Sequence, residues 1–400
     1  MPKFIRLKPT PEQETKLIEF GSYARGLWNL LLAENMRRYR YDKTFLFYVE
    51  MAKLIKELKQ FEEFSWLKAF DAAAAQQVAR DLETALKNSF TKGRLQKFPT
   101  FKIKKLHNDS FRCVNNSNCI RIENGAISIP KLGKIGIVQH RKLASKIKTV
   151  TVQSSHGKWN VSLTQEVECK AAKQLLSSIV GYDINSQHTV VGSNGWYVKN
   201  PKTFKRSSTK LKKIQVQLSR RKKGSSRWHK AKKRLNKLHG KISRQRLAFT
   251  HEVSCSIAKA SDIVVFEDLN VKGMQQFNGS MVNDNVMGMI TSLTKYKVEL
   301  NGGIYHEIGR FVKSSGICCE CQHGHKFDLN VRSFACENCG TVQCRDQSAA
   351  VSVASTGEND LMVAGIVARV RPKFQQKSSS KTKVFERSKF DVGTEKKEAA

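Results

Sequence analysis

Acidic residues are scarce in this chain of 400. Asp and Glu total 34 against 71 Lys and Arg, giving a net charge of +37 and a pI near 10.0. A fold with that imbalance repels itself unless a polyanion neutralises it. Nucleic acid is the obvious polyanion, because phosphate contacts and counterion release dominate its binding. The deficit is sharpest from Ile184 to His251, where there is no Asp or Glu at all. Long apolar runs are also missing. None approaches the ~18 residues of a membrane span, and the opening MPKFIRLKPTPEQ lacks the apolar core of a secretory signal. These absences point to an intracellular protein with no membrane partner. Hydrophobic residues still make up 40%, enough for a substantial core, and the length suits two or three packed units.

The texture of the chain changes several times. FIRL alternates like a strand. TPEQ then reads as a helix start, with Thr10 as N-cap, Pro11 at the first position and Gln13 three residues on. Leu17, Ile18, Tyr23, Leu27 and Leu31 follow at near-helical spacing, and helical texture continues to about residue 92. Short alternating runs broken by Gly, Pro and Asn then predict a small antiparallel β domain over about 93–168, with the first strand free to pair into it. SSIVGYDINSQHTVVGSNGWYV predicts three more strands, with Asn194-Gly195 as a hairpin turn. Within the acid-free stretch, Leu211, Ile214 and Leu218, then Leu235, Leu238 and Ile242, mark two basic helices split near Gly224. With no acidic partner for pairing along the helix, their cations face phosphate. SDIVVFEDL reads as a buried strand ending in two acids; a helix around VMGMITSLTKYKVEL and a strand near IYHEIGRFV follow.

Of ten cysteines, six crowd between Cys318 and Cys344. Cys318-x2-Cys321 and Cys336-x2-Cys339 form two knuckles at the spacing of a tetrahedral Zn²⁺ site, the second ending in Gly340 where the backbone turns tightly. His323 and His325 could substitute as ligands, but they read first as surface-loop histidines. Three acids stand beside apolar texture in separate segments: Asp183 in IVGYDI, Glu267 after IVVF, and Asp346 before QSAAVSVA. A charge among apolar neighbours must be paired or metal-bound. Separate carboxylates are what a two-metal phosphodiesterase requires, holding hard Mg²⁺ ions about 4 Å apart. Asp183 capping a turn, Asp346 capping its helix, and Asp268 in place of Glu267 remain open on spacing alone.

In this order — Asp183 after a strand, a basic helical insert, VVFEDLNVKGM, a four-cysteine ribbon, then CRDQSAA — the chain resembles the TnpB (OrfB) family of transposon-encoded RNA-guided DNA endonucleases, relatives of the compact type V CRISPR effectors. RLKPTPEQETKLIEFGSYARGLWN, QQVARDLETALKNSF, KFPTFKIKK and AISIPKLGKIGI extend the likeness over nearly the whole chain.

The resemblance implies an α/β multidomain protein. Its parts would be the first strand of a wedge domain (1–9), a helical recognition lobe (10–92), a wedge β-barrel (93–170), a RuvC-like nuclease domain of RNase H fold (171–312 and 343–370), a zinc ribbon inserted in it (313–342) and a disordered basic tail (371–400). It implies Asp183, Glu267 and Asp346 as catalytic acids holding two Mg²⁺, one structural Zn²⁺ on Cys318, Cys321, Cys336 and Cys339, and Gln76 where the family reads a short motif beside the target. Lys212, Lys213, Arg220, Arg221, Lys222, Lys223, Arg227, Lys230, Lys233 and Arg234 of the basic insert are the expected phosphate contacts. The expected partners are a guide RNA from the transposon end and double- and single-stranded DNA, bound by a monomer in a prokaryotic cytoplasm, at the nucleoid. Asn185 stands where the family usually has Gly, and Cys344 and Ser348 replace an Asp and an Asn of its third motif. These departures keep two alternatives in play: a cleavage-deficient RNA-guided DNA binder, and a DNA-strand-transferring transposase.

Overall fold

The computed structural model describes residues 3–91, 97–104, 109–138, 145–168, 176, 178–185, 188–271, 273–274, 276, 286–312, 314–326 and 331–366; the expected basic tail lies outside them. The chain divides into two compact units, residues 1–168 and 169–400.

The first unit opens with β1 (Lys3–Lys8), followed by α1 (Pro11–Asp42), α2 (Tyr48–Leu58), the single turn α3 (Trp66–Ala69) and α4 (Ala72–Phe90). Thr10 and Gln13 form the capping box at the start of α1: each side chain bonds the other's backbone N–H, at 3.3 and 3.1 Å. The buried stripe of α1 is Leu17, Phe20, Ala24, Leu27 and Leu31, while Ile18 is 41% exposed, one position off the apolar face. Strands β2 (Ser110–Val114), β3 (Arg121–Glu123), β4 (Ala126–Ile129), β5 (Gly133–Val138), β6 (Ile147–Ser155) and β7 (Lys158–Gln165) join β1 in a seven-stranded antiparallel sheet. Its order is β2-β6-β7-β1-β5-β4-β3, an open ladder among the described residues. The first strand sits inside it, Ile5 opposite Val161 and Leu7 opposite Ile137. Alternating burial along β2, β5 and β7 turns one sheet face to the helices in a shared core.

The second unit is built on a five-stranded sheet of β8 (Ile179–Asp183), β9 (His188–Gly192), β10 (Tyr197–Lys199), β11 (Ile263–Glu267) and β12 (Ile304–Ile308), in the order β10-β9-β8-β11-β12. β8, β11 and β12 run parallel; β9 and β10 add antiparallel hairpins on one side. The basic helices are α5 (Thr203–Ser219) and α6 (Ser226–Ala260), parted at Gly224, whose φ of +88° suits a residue without Cβ. α7 (Met287–Leu300) precedes β12. Short strands β13 (Ser333–Ala335) and β14 (Val342–Cys344) pair antiparallel and lead directly into α8 (Arg345–Val363).

Both faces of this sheet are covered, so its strands are continuous apolar runs. Val180, Tyr182, Val264 and Phe266 pack against Phe249, Val253 and Ile257 of α6 and Ile290 of α7. Ile179, Ile263, Val265 and Ile308 pack against Val353 and Leu361 of α8. Among the described residues no helix is long and apolar enough to cross a membrane.

Candidate active site and cysteine cluster

β8 and β11 are parallel neighbours in register, Gly181 opposite Val265 and Tyr182 opposite Phe266. One residue further on each strand stand Asp183 and Glu267, so the two carboxylates leave the sheet at the same level. Side chains two apart on a strand share a face. Asp183 therefore lies on the face of Gly181, and Glu267 on the face of Val265, and both faces belong to α8. The small residues of that helix explain its close approach. A Cβ on Gly181 would lie 2.4 Å from the carbonyl oxygen of Ala350 and 2.4 Å from the nitrogen of Ala354, and one on Gly357 would lie 2.5 Å from the Val265 side chain. Asp346, one turn before Ala350, is thus carried to the carboxyl ends of the two strands. It is not the helix cap; Cys344 holds that position without a side-chain bond.

Electrostatics tie the three acids together. Burial raises the Asp183 pKa to about 6; a hydrogen bond from Asn185 Nδ2 to its Oδ2, 3.0 Å long, lowers it, and the charges of Asp346 and Glu267 raise it again. Glu267 is also raised by burial, against a 3.0 Å hydrogen bond from Ser314 Oγ. Asp346 is buried, with His188 Nδ1 3.6 Å from one oxygen and Arg332 Nη1 3.6 Å from the other. Asp268 has a different fate: it pairs with Arg310 at 2.8 Å on the surface. Asn185, not Asp183, accepts from the backbone N–H of His188 at the start of β9, at 2.8 Å.

The acids are not gathered around one point. The groups of three or more ligand atoms within 4.8 Å of one another, among the described residues, are the four cysteines and a His323, His325 and Glu337 set. One cation would need a tighter cluster. Two ions about 4 Å apart, each about 2.1 Å from its oxygens, accept carboxylates up to roughly 8 Å apart. A raised pKa, a carboxylate with no cationic hydrogen-bond partner among its described contacts, and an all-oxygen donor set fit hard divalent cations.

The cysteine knuckles close on each other. Cys318 Sγ lies 3.6 Å from Cys339 Sγ, and Cys321 Sγ 3.5 Å from Cys336 Sγ. Four sulfurs about 2.3 Å from one Zn²⁺ stand about 3.8 Å apart in a tetrahedron, so this set fits that ion. Burial pushes the Cys318 thiol up, but the backbone N–H groups of Cys321 and Glu320 and the Gln343 amide hold it well below the ordinary range, as a ligand thiolate needs. His325 differs from its expected place on a surface loop: it is 6% exposed, with Nε2 3.3 Å from Cys336 Sγ and its ring against Phe334. The polar loop sequence concealed a histidine that packs under the knuckle.

Of the expected phosphate contacts, Lys212 and Lys213 are exposed on α5; Arg220, Lys222 and Lys223 are exposed in the connection, and Arg227, Lys230, Lys233 and Arg234 on α6. Arg221 is half-buried and donates to the Arg227 carbonyl at 2.5 Å, bracing the turn. Gln76 is exposed on α4, one helical turn before Arg80, whose guanidinium stacks 4.1 Å over the Tyr48 ring. His188, Ser314 and Arg332 escaped sequence reasoning. Only the hairpin that folds His188 back on the strand of Asp183 carried any signal for them.

Three family models match the chain: OrfB_IS605, described as "Probable transposase", over residues 162–278; Cas12f1-like_TNB, "Cas12f1-like, TNB domain", over 288–353; and HTH_OrfB_IS605, "Helix-turn-helix domain", over 4–44. Residues 11–42 of the last segment form one unbroken helix after β1. A Streptomyces pristinaespiralis protein named "Putative RNA-guided DNA endonuclease" is 30% identical over 385 residues, 94% of this chain and 92% of its own. "Putative RNA-guided DNA endonuclease InsQ" of Escherichia coli K12 is 32% identical over 272 residues, 68% of this chain and 67% of its own. The fold is similar to that of the protein in "Cryo-EM structure of the Cas12f1-sgRNA-target DNA complex", with a TM-score of 0.55 at 14% identity, covering 86% of this chain and 83% of that one.

Proposed function

The chain belongs to the OrfB (TnpB) family, and from that premise we propose that it is an RNA-guided DNA endonuclease whose RuvC-like site is Asp183, Glu267 and Asp346. The observation that carries the reading is that these three acids stand together at the carboxyl ends of two adjacent parallel strands and the start of the helix packed on them. When bound there, two Mg²⁺ ions would supply an activated water and stabilise the leaving oxygen of a phosphodiester, leaving a 5′-phosphate.

The remaining work falls to the chain's own side chains. Above about pH 6 Asp183 is ionised and able to bind a cation. Ser314 holds Glu267, and His188 and Arg332 flank Asp346. The exposed cations of α5 and α6 bind RNA and DNA backbones without reading bases, and pairing with the guide supplies the sequence. Gln76, beside the Arg80–Tyr48 stack, contacts the motif next to the target. Residues 10–92 act as the recognition lobe and the seven-stranded sheet as the wedge domain; the cysteine cluster holds one structural Zn²⁺.

The test is cleavage of guide-matched duplex DNA by the protein purified with its RNA, after that RNA is sequenced. Mg²⁺-dependent cutting that Asp183→Ala abolishes, with DNA binding retained, is the expected result. Joining of transposon ends without RNA would instead indicate strand transfer. A second reading, guided binding without cleavage, has one observation behind it: the Asn185 amide occupies an Asp183 oxygen that a cation would use. Guide-dependent binding with no cut at any Mg²⁺ concentration would establish it.

A further inference from the structure

Gln343 and Ser348 flank Asp346 in sequence and meet on the cysteine cluster. Gln343 Nε2 donates to Cys318 Sγ at 2.7 Å. Gln343 Oε1 accepts from the Cys319 backbone N–H at 3.1 Å and lies 2.9 Å from Ser348 Oγ. Ser348 Oγ is also 2.7 Å from the carbonyl of Ile317, the residue before the first knuckle. Cys318, Ser348 and Gln343 are 0%, 3% and 8% exposed, so the Gln343 hydrogen bonds and the single Ser348 O–H shared between its two acceptors are shielded from water and expensive to leave unmade. One turn after Asp346, on the other side of the helix, Ala350 rests on Gly181 of the strand that bears Asp183. The start of α8 is therefore clamped between the knuckle and the sheet.

We infer that Gln343 is a positioning residue that transmits the state of the cysteine cluster to Asp346. Metal held by the four sulfurs fixes Cys318; the amide fixes Ser348 against it; the turn between them keeps the Asp346 carboxylate toward Asp183. When the sulfurs lose their common ion, the amide loses its fixed acceptor and the turn its upper support. Zinc occupancy then sets the affinity of the acids for divalent cations. The inference rests on the proposal that Asp183, Glu267 and Asp346 hold such cations.

The test uses the full chain without nucleic acid and reads Mn²⁺ binding from the resonance of free Mn²⁺. Gln343→Met keeps the bulk of the side chain and removes its amide. It should fold with about one zinc per chain and a lowered melting temperature, yet the folded, zinc-loaded variant should bind Mn²⁺ about ten-fold more weakly, as expected for the loss of one to two buried hydrogen bonds. Zinc-free wild-type protein should show the same loss, and zinc-free Gln343→Met no further one, because both changes break one path. Ser348→Ala should weaken Mn²⁺ binding in the same direction by less, and carries the test if Gln343→Met does not fold. Unchanged Mn²⁺ affinity in the zinc-loaded variants, or losses from zinc removal and Gln343→Met that simply add, overturns the inference. If Asp183→Asn binds Mn²⁺ as wild type does, the acid site itself is wrong, and the inference falls with it for that separate reason.

Discussion

Gly181 lies directly beneath Ala350: a Cβ on the glycine would stand 2.4 Å from the alanine carbonyl oxygen. That contact brings the helix of Asp346 down onto the strand of Asp183. Neither neighbour is a flexible side-chain end, so Gly181→Ala forces the helix away. Overpacking of this kind costs roughly 1–3 kcal/mol. Denaturant unfolding should show that loss, and cleavage at saturating Mg²⁺ should fall further than the loss of folded protein explains.

Asp183 makes stability depend on pH. Burial, the largest influence, raises its pKa to about 6, above its unfolded value near 4. Between those values the folded chain holds a proton that the unfolded chain has released. Stability from this group is therefore full below about pH 4 and lost as pH rises through about 6. Metal-free wild-type protein should lose roughly 1–3 kcal/mol across that window by chemical denaturation, and Asp183→Asn should not. Added Mg²⁺ should restore the wild type at pH 7.5 and leave the variant unchanged.

Gln322 and Gly340 occupy the same place after their knuckles, with φ of +59° and +72°. Only the second has the residue that adopts this region without strain. Gln322→Gly should stabilise the cysteine ribbon by about 0.5–1 kcal/mol, the relief of the left-handed backbone less the entropy glycine gives up, seen as a higher melting temperature of the zinc-loaded chain. A lower one would show that the glutamine side chain contributes more than its backbone costs.

Cys318 is fully buried and bonded to Gln343 as well as to the other knuckle. Cys318→Ser should lower the bound zinc from about one per chain, measured by elemental analysis, and lower the melting temperature. Unchanged metal content would refute the ribbon.

Elements set by local rules were legible in the chain. The Thr10–Gln13 capping box, the Asn194-Gly195 hairpin, the break at Gly224 and the paired knuckles each follow from a few adjacent residues. What could not be read depends on register and distant partners. Glu267 and Asp268 differ only in which sheet face they leave, and that is fixed by pairing with β8, more than 80 residues away. The small residues of SAAVSVASTG show their purpose only beside Gly181 and Val265. His325 looked like a loop residue because its packing partners, Phe334 and Cys336, follow 9 and 11 residues later in the chain. The Gln343–Ser348 clamp joins groups up to 31 residues apart, beyond any local pattern.

The central claim is that Asp183, Glu267 and Asp346 share a pair of divalent cations. Anomalous diffraction from crystals of the full chain soaked in Mn²⁺ tests it most directly. Two peaks about 4 Å apart, each about 2.1–2.3 Å from oxygens of these three residues, are the predicted result. Mn²⁺ bound elsewhere with none among the three carboxylates would contradict it.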